Sequence, residues 1–145
     1  MKGTDTEPEL PDSYLIDTCG WIEYLSDSTL SDSFSPFIES ATPDRCFTPT
    51  MIIYEVYKRI TSVYNEEEAM KAVAHIKNCT SVLDMTESIA ISAADLSLKH
   101  RIPMADSIIL ATAKSKGASI ITSDTDFKEL ENVHYFDKTK GSLKQ

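Results

Sequence analysis

Tyr14-Leu15-Ile16-Asp17-Thr18-Cys19-Gly20-Trp21-Ile22-Glu23-Tyr24-Leu25 changes structural period in a single short stretch. Three consecutive apolar residues read as a buried strand, whereas Trp21-Ile22 with Leu25 falls at helical spacing. Asp17 stands at the junction. An acid that ends a buried parallel strand is costly unless it is paired or coordinated, so this junction is a candidate site as well as a fold marker. Ser119-Ile120-Ile121-Thr122-Ser123 followed by Asp124 repeats the arrangement near the other end of the chain.

Working outward, residues 29 to 40 suit a short helix, and Arg45-Cys46-Phe47 suits a brief strand. Thr48-Pro49 reads as an N-cap followed by proline at the first helical position, starting a helix toward Thr61. The next helix runs from about Glu66 to Lys77, with Glu66-Glu67-Glu68 favourable at its positive N-terminal end. Ser81-Val82-Leu83 supplies a third strand. Thr86 caps a helix through Lys99 whose Ala90, Ala93, Ala94 and Ser97 form a small-residue face, and Ile102-Pro103 interrupts it. Pro103 opens a helix to Lys116, stopped by Gly117, with Ile109 and Ala113 covering the sheet. Ile120-Ile121 and Val133-His134-Tyr135-Phe136 are the last strands. Short buried strands alternating with helices predict an α/β fold of three α/β/α layers around a central, mostly parallel sheet.

The 145 residues suffice for one domain with a substantial core, and 41% of them are hydrophobic. The domain is expected over 13–137, between an N-terminal tail at 1–12, where Gly3, Pro8 and Pro11 sit among acids, and a C-terminal tail at 138–145. No apolar run approaches the roughly 20 residues that span a bilayer. Met1 to Asp12 is polar and acidic, without the apolar stretch of a signal peptide, so the expected compartment is the cytoplasm. Cys19, Cys46 and Cys79 are far apart and without C-x-x-C spacing, which reads as reduced and structural.

A formal charge of −9 opposes indiscriminate binding of a polyanion. Positive charge is local, at Lys58-Arg59, at Lys99-His100-Arg101, and at Lys114 with Lys116; one by one these read as solvated helix surface. The acidic balance suits a basic protein partner.

Four acids occupy positions that a parallel fold gathers at the carboxyl edge of its sheet: Asp17, Glu55 inside a helix, Asp106 in a helix's first turn, and Asp124. Converging carboxylates must bind a hard cation or take up protons. Each also has a structural reading. Glu55 can pair with Arg59 at i, i+4, Asp106 can satisfy a helix dipole, Asp124 and Asp126 can belong to a polar turn, and Asp95 reads as a solvated helical residue. His75, His100 and His134 share no ligand or triad spacing. Trp21 and Tyr24 read as packing.

Three stretches carry a family resemblance. They are Leu15 to Leu25, Thr48-Pro49-Thr50-Met51-Ile52-Ile53-Tyr54-Glu55-Val56, and Ile102 to Ala113 followed by Ile120-Ile121-Thr122-Ser123-Asp124-Thr125-Asp126-Phe127. In this order and spacing they resemble the PIN domain, and among PIN domains the VapC-type toxins of toxin–antitoxin pairs. The likeness runs from about Tyr14 to Phe136. It implies an acidic quartet of Asp17, Glu55, Asp106 and Asp124 acting with Mg²⁺ or Mn²⁺, supported by Thr18, Thr122 and Asp126. Asp17 and Asp106 are the expected direct ligands, with Glu55 and Asp124 binding directly or through water. The implied activity is metal-dependent hydrolysis of RNA by a homodimer that a cognate antitoxin holds in check. The alternative is a PIN nuclease acting in RNA processing or on DNA, since a fold does not fix a substrate. A phospho-receiver is disfavoured because its aspartate ends a middle strand whereas Asp17 ends the first, and a binding-only module is disfavoured because the quartet is whole.

Overall fold

The computed structural model describes residues 9–139. Most of the predicted tail at 1–12, and all but Lys138 and Thr139 of the one at 138–145, lie outside the described residues. Along the chain come β1 (Tyr14–Ile16), α1 (Thr18–Leu25), α2 (Ser31–Glu39), β2 (Cys46–Pro49), α3 (Thr50–Val63), α4 (Glu66–Cys79), β3 (Ser81–Leu83), α5 (Glu87–His100), α6 (Met104–Ser115), β4 (Ser119–Thr122), a 3₁₀ turn at Thr125–Phe127, and β5 (Val133–Tyr135). Among the described residues no helix is long and apolar enough to cross a membrane.

The five strands form one sheet in the order β3-β2-β1-β4-β5, and all neighbouring strands are parallel. Leu15 stands between Phe47 on one side and Ile120 on the other. Leu15, Ile16, Ile120 and Ile121 are at most 1% exposed, as expected of central strands covered on both faces. From β1 the chain moves outward to β2 and β3, then returns past β1 to β4 and β5. This reversal makes the gap between β1 and β4 the switch point of the sheet, where the crevice of an open parallel fold lies beyond the strand ends. Asp17 follows β1 and Asp124 follows β4, so the topology sets these two acids at that crevice.

Three local readings need correction. Thr48 does not cap α3: its backbone continues β2 opposite Val82, and its hydroxyl pairs with that of Thr80 at 2.8 Å. Pro49 is itself the N-cap, with φ −65° and ψ 148°, because sheet pairing extends one step further than the proline signal allows. Pro103 likewise caps α6 from outside rather than starting it. On α5 Ala93 is buried but Ala94 is exposed, so the small-residue face is narrower than predicted. By contrast Thr86 caps α5 through the Ile89 N–H at 3.1 Å, and Gly117 takes the positive φ of 61° that ends α6.

Gly20 fixes how closely α1 approaches the core. A Cβ there would stand 2.7 Å from Ile16 Cγ2 and 2.7 Å from Phe34 Cδ1. Both neighbours are fully buried, so neither can swing clear. Gly20→Ala is therefore expected to lower the melting temperature, since overpacking of about 1–3 kcal/mol outweighs a helix-propensity gain of at most about 1 kcal/mol. A thermal melt showing equal or greater stability would refute this account of the α1 contact.

Candidate functional site

Asp17 is both the end of β1 and the N-cap of α1. Its Oδ1 accepts the Thr18 N–H at 2.8 Å, and its Oδ2 accepts the Thr122 hydroxyl at 2.8 Å. The residue is 4% exposed. Burial pushes its carboxyl up to about 6 despite those two hydrogen bonds, and the charges of Asp124 and Glu55 add to the rise. The Thr122 hydroxyl also accepts the Asp124 N–H at 2.9 Å, so one side chain at the end of β4 sets the relative position of both acids. The Thr18 hydroxyl donates to Glu55 Oε1 at 2.5 Å, tying α1 to α3. Glu55 thus faces the site, and no ion pair joins it to Arg59.

Asp106 comes from the first turn of α6, 9% exposed. Burial pushes its carboxyl up to about 8, followed in effect by the charges of Asp124 and Asp17 and by hydrogen bonding to Asp126 and Asp124. Asp106 therefore holds its proton to higher pH than an exposed carboxyl when no cation is present. Asp124 caps the 3₁₀ turn by accepting the Asp126 N–H at 2.9 Å. Asp106, Asp124 and Asp126 each offer an oxygen within 4.8 Å of the others. The structure thus brings Asp17, Asp106 and Asp124 into electrostatic contact, joins Glu55 to Asp17 through Thr18, and adds Asp126 beside Asp106. Asp95 is exposed, as expected.

These acids border a cleft of about 490 Å³ lined by Asp17, Thr18, Glu55, Asp106 and Asp124 together with residues that sequence reasoning passed over. Cys19, read as merely structural, accepts the Ser123 N–H at 3.3 Å and lies 3.5 Å from the Thr122 hydroxyl. Its place two residues after Asp17, in the first turn of α1, was the available signal. Burial, then the Asp17 charge, holds its thiol up at about 11. Glu23 and Lys138 also line the cleft, and Lys138 carried no signal because it lies beyond the last strand. Oxygen donors at this density suit a hard cation such as Mg²⁺ or Mn²⁺. Among the described residues the one soft donor is a protonated thiol and no histidine lines the cleft, which disfavours zinc.

Among known proteins, the PIN domain family model matches residues 14–133. A search of curated proteins returns no match. Solved structures with a similar fold include a toxin–antitoxin complex from Klebsiella pneumoniae, 23% identical with a TM-score of 0.69, covering 84% of this chain and 96% of that one. VapC20 of Mycobacterium tuberculosis, described as a sarcin–ricin loop cleaving toxin, is 16% identical with a TM-score of 0.66, covering 91% of this chain and 95% of that one. VapBC-1 of nontypeable Haemophilus influenzae is 20% identical with a TM-score of 0.62, at 87% and 98% coverage. At these identities the likeness is one of fold.

Proposed function

The chain belongs to the PIN domain family, and from that premise we propose that it is a metal-dependent endoribonuclease serving as the toxin of a toxin–antitoxin pair. The observation that carries this reading is that Asp17, Asp106 and Asp124 line one cleft at the switch point of the sheet, with Asp126 within ligand reach of Asp106 and Asp124 and Glu55 tied in through Thr18. Bound Mg²⁺ or Mn²⁺ would supply Lewis acidity for water activation, phosphoryl polarisation and leaving-oxygen stabilisation. Asp17 and Asp106 would hold the ion, with Asp124, Glu55 and Asp126 completing its surroundings directly or through water. Thr122 orients Asp17 and the backbone of Asp124, and Thr18 orients Glu55, which are the positioning duties that ligand carboxylates require.

Partners follow from the same surfaces. Exposed Tyr54, Met85 and Met104 border an apolar groove next to Glu55, which suits the subunit contact of a homodimer. The charge of −9 suits an antitoxin that presents a basic residue to the cleft. Solved relatives of this fold include VapBC complexes bound to DNA from Salmonella typhimurium and Rickettsia felis, consistent with such a partner. The protein would act in the cytoplasm.

The test is expression of the chain alone and together with the small open reading frame next to its gene, paired with cleavage assays on purified protein. Growth arrest relieved by co-expression, with single-stranded RNA cut in Mn²⁺ and spared in excess EDTA, is the expected result. Harmless expression with robust cleavage of DNA or of ribosomal RNA precursors would replace the toxin reading with a processing one, and undiminished cleavage in EDTA would end the metal mechanism.

A further inference from the structure

A chain of charge −9 must still hold a polyanion at a cleft lined by five acids, Asp17, Glu23, Glu55, Asp106 and Asp124. Among the described residues two cations line the same cleft, Arg59 and Lys138. Arg59 lies one helical turn beyond Glu55 on α3, is exposed, and forms no ion pair among the described residues. Its guanidinium keeps its donors for a ligand. Lys138 arrives from the opposite end of the chain and meets Glu23 at 3.0 Å. The Glu23 side chain is only 8% exposed and also accepts the Leu30 N–H at 2.9 Å through Oε1. It is therefore a fixed anchor, while Lys138 remains 63% exposed with two of its three ammonium donors unused by that pair. On α1, Thr18, Cys19, Ile22 and Glu23 share one helical face, and all four line the cleft. That face leads from the carboxylates to the anchored ammonium.

We propose that Arg59 and Lys138 form a two-point phosphate clamp across the acidic cleft, with Glu23 as the positioning residue for Lys138, gripping the backbone of single-stranded RNA beside the phosphate held at the carboxylates. The inference rests on the nuclease reading above and names the groups that let an acidic protein bind that substrate. An ion pair serving stability alone would account for Glu23 and Lys138, but it leaves unpaired Arg59 in the same cleft without a role. The clamp accounts for both.

The experiment uses the intact protein and a short single-stranded RNA. Arg59→Ala and Lys138→Ala are each expected to raise KM about tenfold with kcat changed less than about threefold. Each should also flatten the dependence of log affinity on log salt by about 0.7, the contribution of one phosphate contact to a single strand. Arg59→Lys and Lys138→Arg should restore the salt slope. Glu23→Gln keeps an acceptor for the Leu30 N–H at nearly constant volume, so it should raise KM alone and have no further effect in the Lys138→Ala background. A purely structural pair would instead shift melting temperature and leave KM and salt slope unchanged, which would overturn the clamp. Binding measured by fluorescence anisotropy in the Asp106→Asn background separates the two readings. RNA binding weakened by Arg59→Ala and Lys138→Ala supports the clamp even if the wild type cleaves nothing, whereas active wild type with unaffected variants removes the clamp and leaves the nuclease standing.

Discussion

Asp17→Asn and Asp106→Asn are each expected to reduce RNA cleavage by more than about two orders of magnitude while leaving the fold intact. Loss of groups that merely support a metal ligand already costs about 10- to 100-fold, and these two residues are the most deeply buried carboxylates of the cluster. The fold survives because asparagine preserves the essential geometry. At position 17 its carbonyl oxygen can still accept the Thr18 N–H that caps α1, and the Thr122 hydroxyl can turn to accept from the new amide. Removing a buried acid also removes its desolvation cost, so metal-free Asp17→Asn should melt at or above the wild-type temperature near pH 8. Cleavage rates measured beside melting curves check both halves. Wild-type turnover in either variant would take that residue out of the site.

Three of the four acids of the candidate site were legible because they sit at boundaries that the sequence marks. Asp17 and Asp124 follow short apolar runs, and a parallel sheet sends the ends of such strands to one edge. Asp106 follows Ile102-Pro103, a helix-start signal that placed it in a first turn even though the proline proved to cap rather than begin α6. Glu55 was harder. Helical spacing offers Arg59 as its partner, and only the tertiary contact with Thr18 settles which way it faces.

What remained hidden depends on contacts between distant segments. Thr122 holds Asp17 across 105 positions of chain, a pairing that no local pattern encodes. Glu23 carries no local signal, yet it is buried, accepts the Leu30 N–H and meets Lys138. Thr48 misled for a related reason, since sheet pairing to β3 took up a residue whose local chemistry signals a helix start. Local signals located the acids, and long-range contacts determined which groups position them.

Metal-free protein should lose stability as pH rises from 5 to 8.5, and Mn²⁺ should restore it increasingly over the same range. The carboxyl of Asp17 rises from 3.8 to about 6 on folding and that of Asp106 from 3.8 to about 8. Between those limits the native state holds protons that the unfolded chain has released, so the slope of stability against pH is negative. The stabilisation is fully present below 3.8 and is lost as pH passes through the two folded values. For buried Asp17 alone the full change corresponds to about 3 kcal/mol, of which about half falls above pH 5, a melting shift of a few degrees for a chain of this size. A divalent cation takes the place of those protons and binds the native cluster by preference, adding RT ln(1 + [L]/Kd). Its binding must displace protons at pH 5.5 but few at pH 8.5, so millimolar Mn²⁺ should raise the melting temperature much more at the higher pH. Asp17→Asn should flatten the lower part of the metal-free profile and reduce the Mn²⁺ response. Melting scans across this range in EDTA and in Mn²⁺ measure all of these effects. A metal-free profile that is level from pH 5 to 8.5, or a Mn²⁺ shift of equal size at both ends, would show that the carboxylates do not converge closely enough to hold an ion.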